Sequence, residues 1–255
     1  MRYTSLLQAS ACAAVLALML QGSPSLAASH IYTPHVTPGE LEFEYFGSRT
    51  VDASAAKDNK QKHQFAVAYG MSEHWKTELY GKFEKSASGD IEFEAWEFEN
   101  IFAFTEEGDY WLGTGASFAY EWTPESDVAD AVEARLLLSK AWGKTSHLFN
   151  AELEKQVGSG PRDGLEGKLL WSSRYRYQPY FDPGFEIESD FGELEHTGSF
   201  REQKHAIGPF AYGKIPLHLT SKADGLKYRV GYLFGVSEAA EDGQAVVQLE
   251  YELHF

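Results

Sequence analysis

Residues 246–255 read VVQLEYELHF, and the alternation in this last segment decides the fold. Side chains of an extended chain point alternately to opposite faces. Val247, Leu249, Tyr251, Leu253 and Phe255 therefore share one face, and Val246, Gln248, Glu250, Glu252 and His254 share the other. A half-buried sheet in a water-soluble sandwich alternates in the same way. Whether a protein core or a membrane covers the apolar face depends on the compartment.

The other end of the chain supplies that compartment. Arg2 precedes an uncharged apolar run from Leu6 to Leu20, followed by Gly22, Pro24 and an A-x-A-like Ser25-Leu26-Ala27. This pattern predicts a secretory signal peptide over residues 1–27 rather than a membrane helix. The single cysteine, Cys12, lies in that leader, so the exported chain is expected to have no disulfide and no thiolate site. A lipoprotein reading of Cys12 is poor, because the apolar run continues beyond it. Loss of Arg2 leaves 21 Lys and Arg against 38 Asp and Glu, which moves the formal charge from -16 to -17. That acidity disfavours nucleic acid and anionic membrane surfaces as partners. After the leader no apolar run reaches the roughly eighteen residues that a membrane helix needs.

Working back from the last strand, the same alternation recurs from residue 39 onward. GELEFEYFG sets Leu41, Phe43 and Tyr45 against Glu40, Glu42 and Glu44; QFAVAYG sets Phe65, Val67 and Tyr69 against small residues. HWKTELYGKFE opposes Trp75, Leu79 and Phe83 to Lys76, Glu78, Tyr80 and Lys82. In IEFEAWEFENIFAF the apolar phase changes from Ile91, Phe93 and Ala95 to Trp96, Phe98 and Phe102, as a β-bulge would produce. With the segments that follow, about twelve strands are expected, an even number as in bacterial barrels. GMSEH, TEEGD, GKTS and QPYFDPG read as short turns, alternating with the longer SRTVDASAAKDNKQK, TPESDVADA, GSGPRDG and EHTGSFREQK. KIPLHLTSKADG is too long for its place in that scheme. Tyr45, Phe46, Tyr69, Trp75, Tyr110, Tyr120, Trp122, Trp171, Tyr175, Tyr177, Tyr251 and Phe255 gather near strand ends, where interfacial girdles are expected. The prediction is an all-β chain: a leader over 1–27, an N-terminal periplasmic segment over 28–38, and over 39–255 an antiparallel up-and-down transmembrane β-barrel of about twelve strands. Its alternative is a soluble sandwich or lipocalin-like barrel with an aromatic core.

Tyr251, Leu253 and the terminal Phe255 resemble the C-terminal recognition strand of Gram-negative outer-membrane proteins. That resemblance implies outer-membrane localisation, surrounding lipid, and delivery to the barrel-assembly machinery. AYGMSEHWKTEL, YFDPGFEIESDFGEL and HAIGPFAYGKIPL resemble the putative meta-pathway phenol degradation family. Membership would imply a transport-like outer-membrane protein, and brings no catalytic residues.

If lipid covers the apolar face, the other face lines the lumen. Glu40, Glu42, Glu44, Glu78, Glu92, Glu94, Glu97, Glu99, Glu152, Glu154, Glu186, Glu188, Asp190, Glu250 and Glu252 would point inward, against Lys76, Lys82, Arg135, Lys168, Arg174, Arg176, Lys227 and Arg229. Excess carboxylate in a water-filled pore favours cations, whereas carboxylates bracketing every Arg and Lys would make a salt-bridged plug. Strand order suggests pairing of Lys168, Arg174 and Arg176 with Glu186, Glu188 and Asp190, and leaves the first and fourth strands with few obvious partners. Tyr80, Trp111, Leu137, Leu170 and Leu233 are inward-facing candidates for an aromatic path or for a constriction.

The function expected is passive passage of a small solute, cation-favouring or neutral and aromatic, with a closed structural or adhesive barrel as the alternative. A lipid-acting enzyme is a weaker reading: Ser146, His147 and Asn150 are close in sequence, but neighbours on a strand face opposite ways. His30, His35, His196 and His205 lack the spacing of a ligand pair and read as solvated loop residues. No metal or cofactor is expected.

Overall fold

A computed structural model describes residues 29–254, except 107, 161, 218–220 and 222. The predicted leader and the terminal Phe255 lie outside the described residues. Twelve strands follow one another: β1 (Glu40–Val51), β2 (Gln61–Ser72), β3 (Trp75–Lys85), β4 (Ile91–Thr105), β5 (Gly113–Trp122), β6 (Asp130–Trp142), β7 (Thr145–Val157), β8 (Leu165–Tyr175), β9 (Asp182–Glu193), β10 (Lys204–Pro216), β11 (Gly225–Gly235) and β12 (Gly243–His254). Each pairs antiparallel with its sequence neighbours, and β1 pairs with β12 to close the barrel. Closure leaves no free sheet edge.

The closing pair explains the alternation of the last strand. Phe43 opposes Tyr251 and Tyr45 opposes Leu249 on the outer face, while Glu42 opposes Glu252 and Glu44 opposes Glu250 on the inner one. The barrel is apolar outside and charged inside: Phe65 and Phe118 are each 53% exposed, whereas Glu99, Glu186 and Glu188 are 0% exposed. A soluble barrel would reverse this, because water solvates carboxylates and a core takes the rings. A wall that meets lipid requires this arrangement.

The phase change in β4 is a bulge. Lys82 of β3 pairs with Ala95 and Phe83 with Phe93, so Glu94 is the extra residue, and Phe93 and Trp96 both stay outside. At the end that carries the start of β1, the β6–β7 connection is only residues 143–144. Gly143 has φ 57 there, which a tight primed hairpin turn needs. The long connection after β10 spans 217–224 and is tied down, with Leu217 N–H donating to the Asp224 carbonyl and His254 N–H to its carboxylate (3.1 and 3.0 Å). Twelve strands stand without a recount.

Residues 29–38 precede β1 and pack inside the barrel. The Tyr32 amide donates to Asn150 Oδ1 (2.7 Å), and Asn150 Nδ2 donates to the Tyr32 carbonyl (3.0 Å). Gly70 permits this path: any Cβ there would sit 1.9 Å from the Thr37 carbonyl oxygen.

Candidate solute pathway

Glu40, Glu42, Glu44, Glu78, Glu97, Glu99, Arg135, Glu152, Glu186, Glu188, Asp190, Arg229 and Glu252 are buried on the inner wall. Lys168, Glu154, Lys227, Glu250 and Arg174 line interior cavities, as does Glu94 at the bulge. Glu92 keeps the inner phase, opposite Glu84 of β3, but is exposed near the start of β4. Arg176 lies beyond β8, where its guanidinium donates to the Gly143 carbonyl. The strand ends before Arg176, so period-2 counting no longer applies to it.

Most inward cations are held by carboxylates. Lys76 bridges Glu42 (2.9 Å) and Glu78 (2.6 Å), and Lys82 bridges Glu97 and Glu121. Arg135 contacts Glu133 (2.6 Å), Glu152 (2.7 Å) and Glu99 (3.2 Å). Lys214 and Lys227 both meet Glu252. The acidic rows of β1 and β4 thus have partners that strand-by-strand reading did not identify. The pairing expected between β8 and β9 is also different: Lys168 reaches Glu152 (3.1 Å) and Glu154 (3.2 Å) on β7. Glu186 of β9 is clamped by Arg229 of β11 (2.6 Å from Nε), because β10 presents the uncharged Gly208, Phe210 and Tyr212 between them. Three acidic triads, Glu40–Glu42–Glu252, Glu42–Glu44–Glu78 and Glu133–Glu152–Glu154, come close enough to share an ion, but each already has Lys or Arg within it.

The N-terminal segment crosses this charged interior at mid-height. Tyr32 sits under Arg135, 4.7 Å from ring centroid to guanidinium carbon, and its hydroxyl meets Tyr80 Oη (3.0 Å). Tyr80 in turn donates to Glu78. Ser29 N–H donates to Glu188 (3.3 Å), and Arg229 donates to the Ser29 carbonyl (3.3 Å). His30 packs against Phe46, 4.5 Å between centroids. Burial, with Arg229, Arg135, Lys82 and Lys76 around it, holds its imidazole well below the usual histidine range.

This segment divides the lumen. Ser29, His30 and Tyr32 form one wall of a cavity of about 170 Å³ toward the longer loops, lined also by Lys62, Glu94, Glu121 and Asp190. Ile31, Thr33, Pro34 and His35 bound another of about 640 Å³ toward the short turns. The two share no lining residue, but a third cavity of about 80 Å³ beside the segment borders on both, through His30 and Tyr32 on one side and Ile31, Thr33 and Lys227 on the other.

Tyr80, Leu137, Leu170 and Leu233 are inward and buried, but Trp111 is not: it is 78% exposed before β5, with Lys140 over its ring. His30 and His205 are buried rather than solvated; His205 stacks on Phe200 at 4.3 Å. Ser146, His147 and Asn150 do not meet. Ser146 lines the larger cavity, His147 lies beside Trp171 on the outer face, and the Asn150 amide is committed to Tyr32. The sequence reading missed Tyr32 and its pairing with Asn150, because the two are 118 residues apart in the chain.

Compared with known families and with curated protein sequences, the chain has no match. Solved structures do resemble it. An outer membrane channel from Pseudomonas putida F1 superposes with a TM-score of 0.59 at 12% identity, covering 89% of this chain and 100% of that one. The NanC porin gives 0.54 at 9% identity, covering 84% of this chain and 100% of that one. At such identities the likeness is one of fold: this chain has the closed twelve-stranded barrel of outer-membrane porins.

Proposed function

We propose that this protein is an outer-membrane channel for passive passage of small solutes, and that residues 29–38 narrow its lumen. The observation that carries the reading is the run of polar cavities along the N-terminal segment, a smaller one of about 80 Å³ bordering on residues of both chambers. Their walls are charged and water-accessible, as a solute path requires, while the outer face is apolar. The porin-like fold supports the same reading. A signal peptide over 1–27 would export the chain, and the strand ending in Tyr251, Leu253 and Phe255 would present it to the assembly machinery. The preference for aromatic solutes rests on the resemblance to the phenol degradation family.

Ion pairing favours a second reading, a closed structural barrel, since Arg135 and Lys82 each tie two or more carboxylates of neighbouring strands along the inner wall. Planar-bilayer conductance separates the two. The folded full chain is expected to give small or infrequent steps, and a variant lacking residues 29–35 larger and more frequent ones. Silence from both, with folding confirmed by circular dichroism, would establish the closed barrel instead.

A further inference from the structure

The larger chamber contains a cation with no assigned partner. Arg174 lies on the inner phase of β8, between Ser146 of β7 and Gly184 of β9, and faces the cavity of about 640 Å³. Among the described residues no hydrogen bond or ion pair engages its guanidinium. The other cations of that wall are committed: Lys214 to Glu252, Lys227 to Glu250 and Glu252, and Arg229 to Glu186. So are three of the lining carboxylates, while Glu106, among the described residues, meets only His35 (3.8 Å). Glu186 also accepts from Tyr212 (2.7 Å), Asp182 from the Tyr177 amide (2.8 Å) and Glu250 from Gln248 (2.7 Å).

The rest of the wall is mixed. Ile31, Pro34, Leu148, Pro179 and Tyr228 offer apolar surface, and Ser139 and Ser146 offer hydroxyls. A chamber of several hundred cubic ångströms with partly apolar walls and a cation that no partner engages has the character of a small-molecule site. A guanidinium fork matches a carboxylate in two parallel hydrogen bonds.

We infer that this chamber binds a small organic monocarboxylate, its carboxylate on Arg174 and its apolar body against Ile31, Pro34 and Leu148. The site deepens the channel reading by naming a solute class, and rests on that reading only for what happens to the ligand after binding.

Isothermal titration of the folded full chain in detergent tests it, with benzoate as probe, benzyl alcohol and benzylamine as neutral and cationic counterparts, and empty micelles as the blank. Benzoate is expected to bind at least about tenfold more tightly than either counterpart, and Arg174→Gln to remove that preference. Arg174→Lys should fall between, since an ammonium keeps the charge and loses the fork. Equal affinities for benzoate and benzyl alcohol in the unmodified protein would overturn the inference, as would benzoate binding indifferent to Arg174→Gln. Binding by a barrel that carries no current would sink the channel reading and leave this site standing. A conducting barrel without the benzoate preference would do the reverse.

Discussion

The two chambers share one barrel and one plug, yet they treat charge in opposite ways. Toward the longer loops, Lys82, Arg135 and Lys168 are each surrounded by carboxylates, while Glu94 and Asp190 have no Lys or Arg within ion-pair distance among the described residues. Toward the short turns it is a cation, Arg174, that is uncommitted. An acidic inventory read as one average suggests a cation path throughout. The geometry instead places Arg174, which no partner engages among the described residues, in the chamber toward the short turns, with Glu106 held only by His35 at 3.8 Å, so the local groups, rather than the sum, set what each chamber attracts.

The largest test of this difference is in stability. Arg135→Met leaves Glu99, Glu133 and Glu152 facing one another without their shared cation, and should cost about 3–5 kcal/mol of unfolding free energy. Arg174→Gln should stay within about 0.5 kcal/mol, because no ion pair is broken. Urea unfolding in detergent, followed by tryptophan fluorescence, gives both values. Equal losses at the two sites would mean that Arg174 is as deeply engaged as Arg135, and would remove the contrast.

Next in size is the wall between the chambers. Asn150→Leu keeps the side-chain volume and orphans both the N–H and the carbonyl of Tyr32, at about 1–3 kcal/mol per group. The docked segment should then release often, and the frequency of conductance steps should rise at least about tenfold. An unchanged current from a folded Asn150→Leu barrel would show that the segment does not control passage.

How much of this was legible follows from the range of each interaction. The strands and their phase are local period-2 patterns, so the alternation around Val247 to Leu253 announces them, and the phase change read between Ala95 and Trp96 announces the bulge, which the register places at Glu94 with Ala95 turned inward. The segment SHIYTPHVTPG has no such period and reads as a linker. Its place is fixed by Asn150 and Arg229, 118 and 200 residues away, and no local pattern encodes those contacts. Ion-pair choice was legible only in part, because Lys168 lies opposite both Glu152 and Asp190 and side-chain reach decides between them. Arg174 was marked as inward, but its solitude depends on where every neighbouring carboxylate turned.

A smaller effect should come from pH, through the plug itself. His30 is held below the ordinary value of about 6.5 when docked, and returns toward it when the segment is released. The released state therefore binds the proton first, so docking is strongest above about pH 6.5 and weakens as pH falls below it. Step frequency should rise from pH 7 to pH 5.5, and His30→Gln should flatten that rise. The carboxylates around Lys76 and Arg135 are common to both proteins, which makes the difference between the two profiles the quantity that reports on His30.

The smallest expected effect bears most directly on the contrast between the chambers. Under a salt gradient, the reversal potential reports which ion the open path prefers. Replacing Glu94 and Asp190 by Gln and Asn removes uncompensated negative charge from one chamber and should reduce cation preference. Arg174→Gln removes positive charge from the other and should increase it. Both shifts will be modest, because the Debye length is about 10 Å at 0.1 M salt and each charge acts only within its own chamber. The decisive quantity is the relative sign: opposite shifts mean two chambers with separate fields, and shifts of the same sign would mean that a single field set by the ion-paired layer governs the whole lumen.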